Sequence, residues 1–169
     1  MGQVLAVISG KGGTGKTSVC AGVAGCLCME GARVLCIDAD LGLRNLDISL
    51  GMASEAGLSF LDVMRGDYAI EQAPRAAGLP GLLTAPVSVK VDEIDRGAFE
   101  ALIHDAKERY DWVLIDAPAG VGAGFELAIR FADELVVVCL ADPASQRDAA
   151  RAAELALSRR DVPARLVVN

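Results

Sequence analysis

Three groups of residues in this chain have the types and spacing for polyphosphate chemistry. The first is Gly10-Lys11-Gly12-Gly13-Thr14-Gly15-Lys16-Thr17, which fits the phosphate-loop pattern G-x-x-x-x-G-K-[ST]. Glycines let successive backbone N–H groups turn inward and approach an anion without Cβ clashes. Lys16 then sets an ammonium on the outer phosphates, and the Thr17 hydroxyl is a ligand for Mg²⁺. The second group is Asp38-Ala39-Asp40. Two aspartates two apart in an extended segment point to the same side, which suits one acid to the water shell of Mg²⁺ and the other to the attacking water. The third is Asp116, an acid directly after the apolar run Trp112–Ile115, again placed for the Mg²⁺ water shell. The candidate metal set is therefore Thr17, Asp38 and Asp116, and the candidate catalytic set includes Lys16 and Asp40.

Such residues work only if strands and helices bring them together. Val4–Ile8 is apolar and rich in β-branched residues, so it reads as a strand feeding the loop, and residues 15–30 read as a helix leaving it. That helix points its positive end at the same anion. Gly31 is suited to the left-handed cap that ends it. Arg33–Ile37 is a second buried strand, with Asp38 at its carboxyl end. Ligands in open α/β sheets gather at the carboxyl ends of strands, so the acids should face residues 10–17. Residues 51–58 read as a loop and Ser59–Arg65 as a short helix. A third strand covers residues 82–85, and residues 86–94 form a polar connection. Asp95 caps a helix to Tyr110 with Phe99, Leu102, Ile103 and Ala106 on one face. Trp112–Ile115 is a fourth strand, residues 125–132 are helical and Glu134–Leu140 is a fifth strand. Pro143 starts a helix to Arg160 from its first turn, and Arg165–Val168 is a sixth strand. The alternation predicts an α/β fold, a mostly parallel twisted sheet with helices on both faces, in a single nucleotide-binding domain over residues 1–169.

Composition narrows the class. Of the 169 residues, 53 % are hydrophobic and the mean hydropathy is +0.39, as a buried parallel sheet requires. The longest apolar run, residues 19–29, contains Gly22 and Gly25 and falls short of the roughly 20 residues a membrane span needs. No basic segment precedes the first strand, which argues against a signal peptide. The net charge of −7 repels DNA and anionic lipid, so nucleic acid is not a favoured partner, although Arg147, Arg151, Arg159, Arg160 and Arg165 cluster late. The five cysteines read as small core residues of a reducing compartment. Cys26 and Cys28 would point about 200° apart on a helix, unsuited to joint metal ligation. His104, the one histidine, has no nucleophile motif near it and is a poor candidate for a catalytic dyad.

Lys11 goes beyond the ordinary phosphate loop, which needs no lysine at its second position. Lys-Gly-Gly-Thr-Gly-Lys-Thr resembles the deviant Walker A loop of the ParA/MinD ATPases. The segment Leu41-Gly42-Leu43-Arg44-Asn45-Leu46-Asp47 resembles the switch I segment of the septum-site-determining branch of that family, and residues 117–122 resemble its switch II. Ala117 stands where that family usually has Ser, and Gly122 lies near where it often has Glu. The resemblance implies an ATP- and Mg²⁺-dependent ATPase that dimerises when ATP binds, regulating division-site placement. It implies that Lys11 reaches the phosphates held by the other subunit, and that Arg44 and Asn45 sense the γ-phosphate or the partner. Gly10 to Thr17 and Ser18 contact the nucleotide, and Asn169 matches a strand-end Asn that helps recognise adenine. A division inhibitor and an activating partner are the implied proteins. Localisation is implied as cytoplasmic, peripherally at the inner face of the cell membrane through a C-terminal amphipathic helix. That helix is not in this sequence, and the family continues well beyond residue 169, so the chain is expected to be incomplete at its C-terminal end.

Three rivals share parts of this pattern. A ParA-like DNA-partition ATPase needs a basic surface. A flagellar-number regulator shares switch I. An iron–sulfur carrier shares the loop but needs a paired-cysteine site, for which this chain has no suitable spacing.

Overall fold

A computed structural model describes residues 1–53, 57–86 and 89–169. Its centre is a seven-stranded, wholly parallel sheet of order β3-β4-β2-β5-β1-β6-β7. The strands are β1 (Gln3–Ile8), β2 (Val34–Asp38), β3 (Leu58–Ser59), β4 (Gly81–Thr84), β5 (Trp112–Asp116), β6 (Glu134–Cys139) and β7 (Ala164–Val168). The helices are α1 (Lys16–Met29), α2 (Leu46–Ser49), α3 (Phe60–Met64), α4 (Arg96–Arg109), α5 (Ala123–Ile129) and α6 (Pro143–Arg159).

The sheet contains one strand more than the sequence pattern predicts. Leu58 closes the stretch expected to be a loop and Ser59 opens the expected short helix, yet the two pair with Leu83–Thr84. Two residues are too few for a periodicity signal, and only β4 beside them makes a strand. The rest of residues 51–58 and of the polar connection 86–94 includes positions 54–56 and 87–88, outside the described residues.

Period-two alternation sorts side chains to the two faces. Val4, Ala6 and Ile8 of β1 go to one core with Ile37, Ile115 and Val137, covered by α4, α5 and α6. Leu5 and Val7 go to the other with Cys36, Leu114 and Val136, covered by α1. Helix α1 presents only Lys16, Cys20, Ala21 and Ala24 as buried residues. Such small side chains let a helix lie close on the sheet and bring its first turn over the strand ends. Phe60 and Phe99 meet edge to face at 5.6 Å between ring centroids, fastening α3 to α4.

The caps are those the residue types favour. Asp95 accepts from Ala98 N at 2.7 Å, and Asp142 accepts from Ser145 N at 2.9 Å with Pro143 in the first turn. The cysteine reading needs correction. Cys20, Cys36 and Cys139 are buried, but Cys26 is exposed and Cys28 half-buried, because a helix against a single sheet buries one stripe only. His104 is on the surface near Glu108.

Candidate functional site

β1, β5 and β2 are consecutive in the sheet, and their carboxyl ends carry the loop and the acids. Chain order reverses here, since β5 slots between β1 and β2, and such a crossover opens a crevice at the strand ends. Asp38 and Asp116 sit directly opposite one another on β2 and β5, and Val7 is Asp116's partner on β1.

The loop leaves β1 with the Ser9 hydroxyl donating to the Lys11 carbonyl at 2.9 Å. Gly13 and Gly15 take φ of 76° and 84°, which only glycine adopts cheaply. No atom lies within 4 Å of where a Gly13 side chain would begin, so that backbone is open to a ligand. Lys16 is 7 % exposed, and its Nζ donates to Asp116 Oδ1 at 2.7 Å. Thr14 is buried, and its hydroxyl is without a protein partner among the described residues. A buried polar atom of this kind calls for a partner from outside the chain.

The acids differ in environment. Asp38 is 1 % exposed and accepts from Asp40 N at 2.9 Å and Leu46 N at 3.2 Å. Burial outweighs those two donors and pushes its carboxyl up to about 6, with the Asp116 charge adding to the rise. Burial also raises Asp116, against the pull of the Lys16 ammonium and the Thr17 hydroxyl. Asp40 is only half-buried, and its Oδ1 accepts from Gly42 N at 3.0 Å and Leu43 N at 3.2 Å. The carboxylate therefore shapes the start of the expected switch. Arg44 follows in left-handed backbone, φ 46°, a costly conformation for a residue with a Cβ.

A raised carboxyl pKa has a defined consequence. Asp38 in the folded chain holds its proton to higher pH than in the unfolded chain, so its contribution to stability is present below pH 4 and lost as pH rises from about 4 to about 6. Asp38→Asn removes that titration. Its stability relative to the parent should improve between pH 4.5 and 7, by at most about 3 kcal/mol for a rise from 3.8 to about 6. Urea unfolding of both proteins at the two pH values measures it, and a constant difference would refute it.

Lys11 and Asp142 meet at 3.6 Å, both partly exposed. The Ser145 N–H holds the Asp142 carboxyl below its ordinary range, with Lys11 adding to the effect. Asn169 directs its side-chain amide to the Thr14 carbonyl at 3.1 Å.

Comparison with known proteins places this arrangement. The family profile for an AAA domain matches residues 2–151. The septum site-determining protein MinD of Synechocystis is 36 % identical over 154 residues, 89 % of this chain and 58 % of that protein. In the MinC:MinD cell division protein complex of Aquifex aeolicus, one chain superposes with a TM-score of 0.83 at 35 % identity, over 99 % of this chain and 68 % of its own. The chain belongs to the MinD family. MinD of Pyrococcus horikoshii, solved with Mg-ADP, superposes with a TM-score of 0.81 at 28 % identity, over all of this chain and 70 % of its own. The chain spans 58 % to 65 % of the length of the first curated MinD relatives it matches.

Within this MinD-family fold, Gly10 to Ser18, Asp38, Asp40, Asp116 and Asn169 all gather at one end of the sheet. Among the described residues, no group of three or more His, Cys, Asp or Glu is placed to hold a metal alone. Sequence reasoning missed three contacts: the Lys16–Asp116 ion pair, the Lys11–Asp142 pair and the Asn169–Thr14 hydrogen bond. Each joins residues a hundred or more positions apart, and no local spacing encodes it. Of the late arginines, Arg159 pairs with Glu126 and Arg165 with Glu134, whereas Arg147 and Arg151 are exposed on α6.

Proposed function

We propose that this chain is a Mg²⁺-dependent, ATP-driven dimerisation switch of the MinD type that hydrolyses ATP to ADP and phosphate. The observation that carries the reading is the Lys16 ammonium, buried 2.7 Å from Asp116 beneath a glycine backbone open to ligand. A buried lysine held by one acid, with a second acid on the next strand, is a charge set that suits a polyphosphate and its cation.

The residue roles follow. Gly12 and Gly13 leave space for phosphate to approach the loop amides, Gly10 and Gly15 let the loop pack on α6 and Asn169, and Lys11, Thr14 and Ser18 border the phosphates. Lys16 transfers its charge from Asp116 to the outer phosphates. Thr17 supplies a hydroxyl to Mg²⁺, and Asp38 and Asp116 order the water around it. Bound Mg²⁺ supplies charge neutralisation across the phosphates. Asp40 holds the attacking water through Oδ2, since its Oδ1 is taken by the switch backbone. Catalysis of this kind rests on positioning and charge rather than covalent chemistry. Lys11 reaches the partner's nucleotide in a homodimer.

The same reading gives the chain a division-inhibitor partner, in line with the MinC:MinD complex of Aquifex aeolicus, and an activating partner. It also sets the chain in the cytoplasm, peripherally at the inner face of the cell membrane, through a C-terminal amphipathic helix outside residues 1–169. Among the described residues no helix is long and apolar enough to cross a membrane.

Asp40 separates hydrolysis from binding. Asp40→Ala should bind Mg²⁺-ATP and dimerise but turn over about 100-fold more slowly, the usual size of a lost general base. Asp40→Asn keeps an acceptor for Gly42 and Leu43 and should be equally slow. Phosphate release at saturating ATP is the measurement, and normal turnover in the Asn variant would refute the role.

A further inference from the structure

The β6–α6–β7 unit grips both ends of the phosphate loop. At the first end, Gly10 lies so close to α6 that a Cβ there would overlap the Asp148 carbonyl. At the second, a Cβ on Gly15 would overlap the Asn169 side-chain amide. Asn169 is itself fixed. Its backbone N–H donates to the Cys139 carbonyl at 2.9 Å, one step past the Val168–Cys139 rung of the β6–β7 ladder. Its side-chain Nδ2 donates to the carbonyl of Thr14 at 3.1 Å, and Thr14 is 2 % exposed.

A trans peptide is planar, and its C=O and N–H point in opposite directions. Holding the Thr14 carbonyl toward β7 therefore aims the Gly15 N–H the other way, and no backbone acceptor takes that N–H among the described residues. We propose that Asn169 is a positioning residue for the phosphate loop: through the Thr14 carbonyl it fixes the Thr14–Gly15 peptide and presents the Gly15 N–H to a phosphate oxygen, whether or not a base is attached. The ligand chemistry this serves is the polyphosphate itself. The inference rests on the nucleotide reading given above and adds a role separate from base recognition.

The test compares Mg²⁺-tripolyphosphate, which has no base, with Mg²⁺-ATP by titration calorimetry on the parent, Asn169→Ala and Asn169→Leu. The Leu variant keeps the side-chain volume and lacks the donor. Both variants should lose about fivefold to tenfold in affinity for both ligands, the worth of one intramolecular hydrogen bond. Loss for ATP with unchanged tripolyphosphate affinity would confine Asn169 to the base and overturn the proposal. Parent-like affinity in the Leu variant would reduce the side chain to a filler and overturn it as well. A parent that binds neither ligand would overturn the nucleotide reading first, and this inference with it. A check without variants is the through-bond NMR coupling between Asn169 Nδ2 and the Thr14 carbonyl carbon. It should persist with Mg²⁺-tripolyphosphate bound, and its disappearance would overturn the proposal.

Discussion

Lys16→Ala should lose Mg²⁺-ATP affinity by about 100-fold or more, the effect of deleting charge-assisted hydrogen bonds to phosphate. The structure adds a second effect. Lys16 and Asp116 are 7 % and 2 % exposed at their side chains and form a 2.7 Å ion pair. Removing one member of a buried pair leaves the other charge uncompensated, at a cost of several kcal/mol unless the group neutralises. Asp116 is already raised by burial, and Lys16 is the chief influence holding it down. The variant should therefore be less stable near neutral pH, with Asp116 taking up a proton. Lys16→Ala combined with Asp116→Asn removes the stranded charge. It should recover most of the thermal stability and none of the ATP affinity. Fluorescent-nucleotide titration beside thermal unfolding separates the two effects. Unchanged affinity in either protein would end the reading of residues 10–17 as the nucleotide site.

How much of this site was legible before the structure depends on the range of each contact. The loop, its flanking strand and its helix were readable because glycines, Lys16 and Thr17 act within one turn of chain. Asp38 and Asp116 were readable because each follows an apolar strand, and parallel strands deliver their ends to one edge. β3 was not, since Leu58–Ser59 has no pattern of its own. The exposure of Cys26 was not, since α1 has no strong apolar stripe and its small residues look alike on every side. The pairing of Lys11 with Asp142 was not, since Asp142 already has a complete local explanation as the cap of α6. A residue with a satisfied local role gives no sign of a second, long-range one. Asn169 is the same case, because nothing near it in sequence points to Thr14.

Lys11→Ala should still bind Mg²⁺-ATP as a monomer but fail to dimerise and to hydrolyse. The monomer loses little by the change. Lys11 and Asp142 are 36 % and 45 % exposed and 3.6 Å apart, and an open pair of that kind contributes at most about 1 kcal/mol. Asp142 keeps its cap hydrogen bond to Ser145 N without Lys11, so α6 stays anchored. In the proposed reading, Lys16 and the loop amides serve the chain's own phosphates, which leaves Lys11 to turn outward. In a face-to-face dimer each Lys11 leaves Asp142 and meets phosphate charge in a desolvated interface, where an unpaired charge is far costlier than a lost rim contact. The two environments predict opposite sensitivities: near-silence in thermal unfolding of the free protein, and loss of the dimer in light scattering with Mg²⁺ and a slowly hydrolysed ATP analogue. Asp142→Asn supplies the converse control, since it keeps an acceptor for Ser145 N, removes the charge that holds Lys11, and should leave ATP-dependent dimerisation intact. A Lys11→Ala protein that dimerises as readily as the parent would leave a phosphate-loop fold without its switch.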